Sequence, residues 1–253
     1  NVLDNFTRAG VLASGEGASV HVKGNRIEGP DDPRVWAPNG IQISRGSHGV
    51  VLDNEVTNIP SPVPPSGAGS GIILFCSGKA TVQGNRVANA DIGIAIADTE
   101  GASVLGNEVR DANFDAISLQ FLGFVFGPLG CPNDPAPSPV RKNLVNNNVL
   151  LDSDDAGISL VNFDDTTLSD QPSDNLISNN QIEDSGDDGI HVFNTVGNPS
   201  DNSFVKNVIR ESGDTDAVDE TMGDGTAGTA NDWHANRCPT DNPDGLCQKP
   251  PKP

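Results

Sequence analysis

Apolar residues recur along this chain in short runs, and one polar residue punctuates each repeat. The unit is Asn-x-(Val/Ile/Leu), a short turn, and then (Gly/Ala)-(Ile/Val)-x-(Ile/Leu/Val), with a further apolar residue three positions before the Asn. The runs are too short for amphipathic helices, whereas strands need only a few residues. The pattern therefore predicts many short strands joined by tight turns.

The asparagines of this unit form a column whose spacing varies between 22 and 41 residues. Its members are Asn1, Asn25, Asn54, Asn85, Asn107, Asn148, Asn180, Asn207 and Asn236. The shortest spacing accommodates three short strands and three turns, which is one coil of a parallel β-helix, and longer spacings add a loop. Inward residues would stack about 4.8 Å apart, and an Asn at a tight bend can hydrogen-bond to its counterparts above and below. The sequence predicts an all-β solenoid of about nine coils with an asparagine ladder.

We interpret residues 1–253 as a single β-helix, with coils up to about residue 228, a capping coil over 229–248 and a tail over 249–253. Trp233 is large enough to close the last layer. Asn1 already occupies a ladder position, so we expect an open N-terminal coil through which copies of the chain could associate. The chain would then be a processed form or a piece of a longer protein.

Charge limits the choice of partners. Asp and Glu number 35 against 15 Lys and Arg, which gives a net charge of -20 and a pI near 4.2. Nucleic acid and anionic membrane surfaces would be repelled, whereas a divalent cation, or a substrate that is neutral or cationic, would be accepted. No apolar stretch approaches the length of a membrane span, and no signal peptide is visible.

Four cysteines favour an exported protein. Cys238 and Cys247 flank a Pro-Asp-Gly turn, and Cys76 and Cys131 both follow a strand of the same column, two coils apart. We expect these two pairs to be disulfides, with free buried thiols as the alternative. Disulfides would place the protein outside the cell, secreted or at the cell surface.

The Asn-x-Val and Gly-Ile-x-Leu columns resemble the right-handed parallel β-helix superfamily, which includes pectate lyases, polygalacturonases, alginate lyases and epimerases, and NosD-like periplasmic proteins. The resemblance implies a substrate groove whose floor is the Gly-Ile-x-Leu strand. Long loops would form walls on both sides of that strand; they are expected at residues 29–39, 58–69, 121–139 and 161–174.

Outward positions on the groove strand indicate where substrate could bind. Between the two inward residues of each coil stand Gln42, Ile73, Ala95, Ser118, Ser159, His191 and, if the register continues, Asp219. The position just before the strand holds Asp115, Asp188 and Asp216. Polar groups thus gather on the last four coils, and we predict that Ser118, Gln120 and Ser159 contact substrate.

The segment Gly186-Asp187-Asp188-Gly189-Ile190 resembles the Gly-Asp-Asp-Cys-Ile segment of polygalacturonases, with Gly189 in place of the cysteine. The resemblance implies an acid and base role for Asp187 and Asp188, and His191 could be an oriented acid or base beside them. The other polygalacturonase motifs are missing from their expected places. Ordinary turn chemistry is the alternative for Asp before Gly.

Comparison with pectate and alginate lyases suggests a metal instead. Those enzymes often hold Ca²⁺ through aspartates, and Asp187, Asp188, Asp216 and Asp219 could supply such oxygen ligands. No basic residue falls on the groove row, so no lyase base can be named.

The leading hypothesis is an exported carbohydrate-active protein that binds or cleaves a polysaccharide on the groove face of its C-terminal coils, as a lyase or a glycoside hydrolase. The alternative is a structural or adhesive surface solenoid without an active site.

Overall fold

The computed structural model describes residues 1–30, 37–61, 67–122, 131, 139–163, 171–195 and 197–249. It is a solenoid of three parallel sheets, with eight, nine and eight strands, in which each coil contributes one strand to each sheet. This confirms the parallel β-helix. Each of the four predicted loops lies partly outside the described residues.

The ladder sheet follows the asparagine column. Its strands are β1 (Val2–Leu3), β4 (Arg26–Glu28), β7 (Glu55–Ile59), β10 (Arg86–Ala90), β13 (Glu108–Ala112), β16 (Val149–Ser153), β19 (Gln181–Glu183) and β22 (Val208–Arg210).

The groove sheet contains the Gly-Ile-x-Leu strands. They are β2 (Ala9–Ser14), β5 (Asn39–Ser44), β8 (Ser70–Phe75), β11 (Ile92–Ala97), β14 (Ile117–Phe121), β17 (Ile158–Asn162), β20 (Asp188–Val192), β23 (Thr215–Asp219) and β25 (Asp241–Asn242).

The return sheet leads each coil back to the next asparagine. Its strands are β3 (Ser19–Lys23), β6 (His48–Leu52), β9 (Ala80–Gln83), β12 (Ser103–Leu105), β15 (Leu144–Asn146), β18 (Leu176–Ser178), β21 (Ser203–Val205) and β24 (Asp232–His234). A 3-10 turn, Thr226–Gly228, lies between β23 and β24.

Stacked aliphatic columns form the core. In the return sheet the inward residues pair in register as Val22, Val51, Val82, Val104, Val145, Ile177, Phe204 and Trp233. All eight are buried, and the Phe204 and Trp233 rings stack with centroids 4.0 Å apart. The column predicted from the apolar position before each Asn is therefore confirmed.

The asparagine ladder is also confirmed. The side-chain Nδ2 of each ladder asparagine donates to Oδ1 of the next, at 2.9–3.0 Å along the column from Asn1 to Asn236. Backbone N–H groups from Asn25 onward donate to the same oxygens. The bend is therefore held by hydrogen bonds that water cannot replace, because most of these side chains are buried.

A second ladder runs beside the first and was not predicted. Asn143, Asn175, Asn202 and Asn231 are linked by side-chain hydrogen bonds of 2.9–3.0 Å. Each lies five residues before a member of the first ladder, a spacing that the sequence contains in its last four coils. The second ladder fixes the turn that enters the return sheet.

Both predicted disulfides are present, Cys76–Cys131 and Cys238–Cys247. The second joins the chain on either side of β25, the last strand of the groove sheet. No helix in the described part of the chain is long and apolar enough to cross a membrane.

Candidate functional site

The outward row of the groove sheet has the predicted register through most of its length. Gln42, Ile73, Ala95, Ser118, Ser159 and His191 pair in succession. The next residue of this row is Val218, not Asp219. The prediction for Asp219 was wrong by one residue, and a slip of one residue moves a side chain to the opposite face of a strand.

Asp219 instead belongs to the core. It pairs with Val192, and its Oδ2 accepts hydrogen bonds from the Trp233 indole at 2.8 Å and from Asn231 at 3.1 Å. Its Oδ1 accepts from the backbone and hydroxyl of Thr221. A carboxylate that satisfies four donors is a structural anchor for the capping layer.

Asp216 was assigned to the position before the groove strand, but Thr215 is the residue in register with Asp188. Asp216 is buried, and its Oδ2 accepts from the backbone and hydroxyl of Thr240. Asp187, Asp188, Asp216 and Asp219 therefore do not form a group of mutually close oxygens of the kind that would hold a metal. Binding of Ca²⁺ stays a prediction for which these four residues provide no common centre.

Asp188 and His191 do come together. His191 Nδ1 lies 2.8 Å from Asp188 Oδ2, while Asp188 Oδ1 accepts the backbone N–H of Thr215 at 3.1 Å. His191 Nε2 lies 3.3 Å from Glu220 Oε1, and the imidazole stacks on the Phe193 ring with centroids 3.6 Å apart. The imidazole is thus held between two carboxylates.

This arrangement favours the charged imidazole. Burial opposes the charge, but Asp188 and then Glu220 outweigh it, so the pKa of His191 is raised above its usual value. Both Asp188 oxygens are engaged, which leaves Asp188 as a positioning residue for His191.

Ser118 and Ser159 are neighbours on the outward row, but they are almost fully buried. Their hydroxyl oxygens are 2.6 Å apart, Gln120 donates to Ser118 at 2.9 Å, and Ser159 donates to Asp115 Oδ2 at 2.5 Å. The two hydroxyl groups therefore contact protein atoms and orient Asp115. Of the predicted substrate contacts, only Gln120 is partly exposed.

Asp115 is the residue whose chemistry the environment changes most. Burial raises the pKa of its carboxyl to about 6, although hydrogen bonds from Ser159 and Ser118 favour the ionised form. Its position before the groove strand was noted in the sequence, but its pKa depends on groups 44 residues away. Asp115 could therefore exchange a proton at mildly acidic pH.

A column of exposed residues runs along the turn that enters the groove sheet. Backbone hydrogen bonds connect Phe114, Asp155, Asp187 and Asp214 in successive coils. All four side chains are exposed, and Phe114 directly precedes Asp115. We call Phe114, Asp115, Asp155, Asp187 and Asp214 the acidic edge. Burial, and then Asp187 and Asp154, raise the pKa of Asp155.

The site does not form a Ser-His-Asp triad. The Ser159 hydroxyl donates to Asp115, and His191 Nε2 faces Glu220. A nucleophilic serine would need its hydroxyl on the histidine nitrogen. Acid and base chemistry by carboxylates fits the acidic edge better.

Comparison with known proteins agrees with the fold. Residues 1–126 match a family model described as a right-handed β-helix region. Together with the three parallel sheets, this match defines the chain as a right-handed parallel β-helix protein. No curated protein matches the chain.

The solved structures that match the chain include a glucanase and an adhesin. The catalytic domain of a GH87 α-1,3-glucanase in complex with tetrasaccharides is 13% identical, with a TM-score of 0.56 over 84% of this chain. PfbA, a surface adhesin of Streptococcus pneumoniae, is 11% identical, with a TM-score of 0.59 over 96% of this chain. This chain spans 44% of the first structure's length and 66% of the second's.

Proposed function

We propose that this chain is an extracellular protein that binds a neutral polysaccharide along the acidic edge of its groove sheet. The observation that carries the proposal is the column of an exposed aromatic ring followed by three exposed carboxylates, beside the partly buried Asp115. A sugar ring can pack its apolar face on Phe114, and its hydroxyl groups can donate to the carboxylates. The two disulfides support an extracellular location.

The negative charge of the acidic edge favours a neutral polymer as the ligand. Asp155, Asp187 and Asp214 follow one another at strand spacing, about 4.8 Å, so a polyuronate would meet repulsion along the whole edge. The carboxylates also repel one another, which costs stability, and hydroxyl donors from a ligand would relieve part of that cost. The scaffold is compatible with this substrate class, since a glucanase shares the fold.

Hydrolysis of the bound polymer is the second candidate, and the raised pKa of Asp115 favours it. Glycosidases need one carboxyl that stays protonated near neutral pH and a second that is ionised. Asp115, with a pKa of about 6, would protonate the glycosidic oxygen. The exposed Asp187, whose charge raises the pKa of Asp155, would act as the base or nucleophile.

The test is a panel of neutral and uronate polysaccharides, assayed for binding by affinity electrophoresis and for new reducing ends and unsaturated uronates. We expect binding to a neutral polymer that falls at least tenfold in Phe114→Ala and Asp187→Asn. Asp53→Asn is the matched control, because Asp53 is an exposed carboxylate at a bend outside the groove sheet.

Reducing ends that disappear in Asp115→Asn, with binding retained, would support hydrolysis. Binding without products in the wild type would remove the hydrolytic role and leave a binding protein. Failure to bind any neutral polymer, or equal binding by Asp187→Asn and the wild type, would overturn the proposal.

A further inference from the structure

A concavity lies at the other end of the groove sheet. A cavity of about 880 Å³ opens over β2, β5 and β8, and its lining includes Phe6, Leu12, Ile73, Phe75 and Leu122. Leu12 lies on the outward row, in register with Gln42, and is 59% exposed, so its side chain is available to an apolar ligand. The volume is within the range of small-molecule sites.

The described lining of this cavity contains basic but no acidic side chains, whereas the protein as a whole is acidic. Two guanidinium groups, Arg8 and Arg45, are part of its lining, and among the described lining residues there is no Asp or Glu. The chain as a whole carries a net charge of -20. Both arginines also have interactions within the chain. A guanidinium has five N–H donors and can therefore bind more than one acceptor.

The cavity floor is held by a short chain of polar side chains. Asn39 Nδ2 donates to Gln42 Oε1 at 3.1 Å, and Gln42 Nε2 donates to Ser44 Oγ at 3.2 Å. Ser44 Oγ in turn donates to the carbonyl of Ala13. Because these amide groups bind one another, the floor offers a fixed surface between the apolar walls and the arginines.

From this lining we propose that the N-terminal end of the groove binds an amphiphilic organic anion, a flat apolar body with one carboxylate. The body would lie against Leu12, Ile73 and Phe75, and the carboxylate would accept hydrogen bonds from Arg8 or Arg45, which match its geometry. This site is separate from the acidic edge and does not depend on its function.

The experiment compares 2-naphthoate with the neutral 2-naphthamide by isothermal titration calorimetry on the intact chain. We expect naphthoate to bind at least tenfold more tightly, and its affinity alone to fall as salt is raised. Arg8→Gln or Arg45→Gln should weaken naphthoate binding about five- to tenfold, and the matching Lys variants should weaken it less. Circular dichroism and melting temperature would verify that each variant is folded.

Asp187→Asn should leave naphthoate binding unchanged, and the arginine variants should leave polysaccharide binding unchanged, so the two sites can fail separately. Equal affinity for the acid and the amide in the wild type would overturn the proposal even if a variant does not fold. Absence of naphthoate binding at millimolar concentration, or full retention of affinity in both Gln variants, would overturn it as well.

Discussion

The Ser159 hydroxyl donates a hydrogen bond of 2.5 Å to Asp115, a residue that lies 44 positions earlier in the chain and one coil away. Ser159 is itself buried and is held by Ser118 at 2.6 Å. The pair shows how the solenoid builds its site: a buried hydroxyl from one coil orients a buried carboxyl of the preceding coil.

Asp115 should cost the protein stability at neutral pH. Because burial raises the pKa of Asp115 from 3.8 to about 6, the folded state binds this proton more tightly than the unfolded state does. The cost therefore appears as pH rises from about 4 to about 6 and is fully present above that window. We expect Asp115→Asn to stabilise the protein by about 1–3 kcal/mol at pH 8 and by less at pH 4.

Thermal unfolding monitored by circular dichroism at both pH values checks this. Asp155→Asn is the companion variant, since Asp155 is more exposed. An Asp115→Asn effect that is equal at the two pH values would contradict the assigned pKa.

His191 should show the opposite dependence. Its pKa is raised, so its charged form stabilises the fold below the unfolded pKa of about 6.5, and this contribution is lost as pH rises through the folded pKa. We expect His191→Gln to destabilise the protein more at pH 6 than at pH 9.

NMR titration of the imidazole separates its two partners. Asp188→Asn should lower the pKa of His191 more than Glu220→Gln, because Asp188 lies at 2.8 Å and Glu220 at 3.3 Å with a half-exposed side chain. A larger effect from Glu220→Gln would mean that Asp188 does not hold the imidazole.

Asn180 should be among the least replaceable residues. Its amide donates to Asn207 Oδ1 and to the carbonyl of Val145, and its Oδ1 accepts two hydrogen bonds from Asn148. Asn180→Ala removes these four side-chain hydrogen bonds from the buried column. Asn207 Oδ1 keeps the backbone N–H of residue 180 and Asn148 Nδ2 keeps the carbonyl of Val104, so we expect a loss of about 2–4 kcal/mol in the free energy of unfolding.

Urea unfolding gives the measurement. Asn113→Ala is the control. Its free energy of unfolding should fall by about 1 kcal/mol, because the Asn113 side chain donates one hydrogen bond, to Asp91. Similar losses in the two variants would show that the ladder adds nothing beyond an ordinary hydrogen bond.

Asp219 distinguishes a structural anchor from a metal ligand. In Asp219→Asn an NH₂ group replaces one of the two acceptor oxygens, so it faces either the donors of Thr221 or those of Trp233 and Asn231. Because donors then face donors, we expect the free energy of unfolding to fall by about 2–4 kcal/mol. The exposed Asp214→Asn should change stability little. The difference in melting temperature between the wild type and Asp219→Asn should be the same with and without Ca²⁺. A Ca²⁺-dependent rise in melting temperature that only the wild type shows would restore Asp219 as a ligand.

The sequence by itself determined the internal structure of each coil. An apolar residue three positions before each asparagine and another two positions after it give the strand boundaries, the inward columns and the ladder, because alternation within a strand is a local property. The outward row from Gln42 to His191 followed from the same local pattern.

Tertiary structure decided what lies between coils. Thr215–Asp219 lacks the Gly-Ile-x-Leu pattern, so its register depends on packing. The small Ala217 pairs with Ile190, Trp233 fills the last layer, and the Trp233 indole N–H donates to Asp219. The burial of Ser118 and Ser159, the pKa of Asp115 and the cavity at Leu12 likewise depend on residues from different coils. Their contacts join positions tens of residues apart, and insertions of unequal length separate those positions. Local sequence spacing therefore does not predict these contacts.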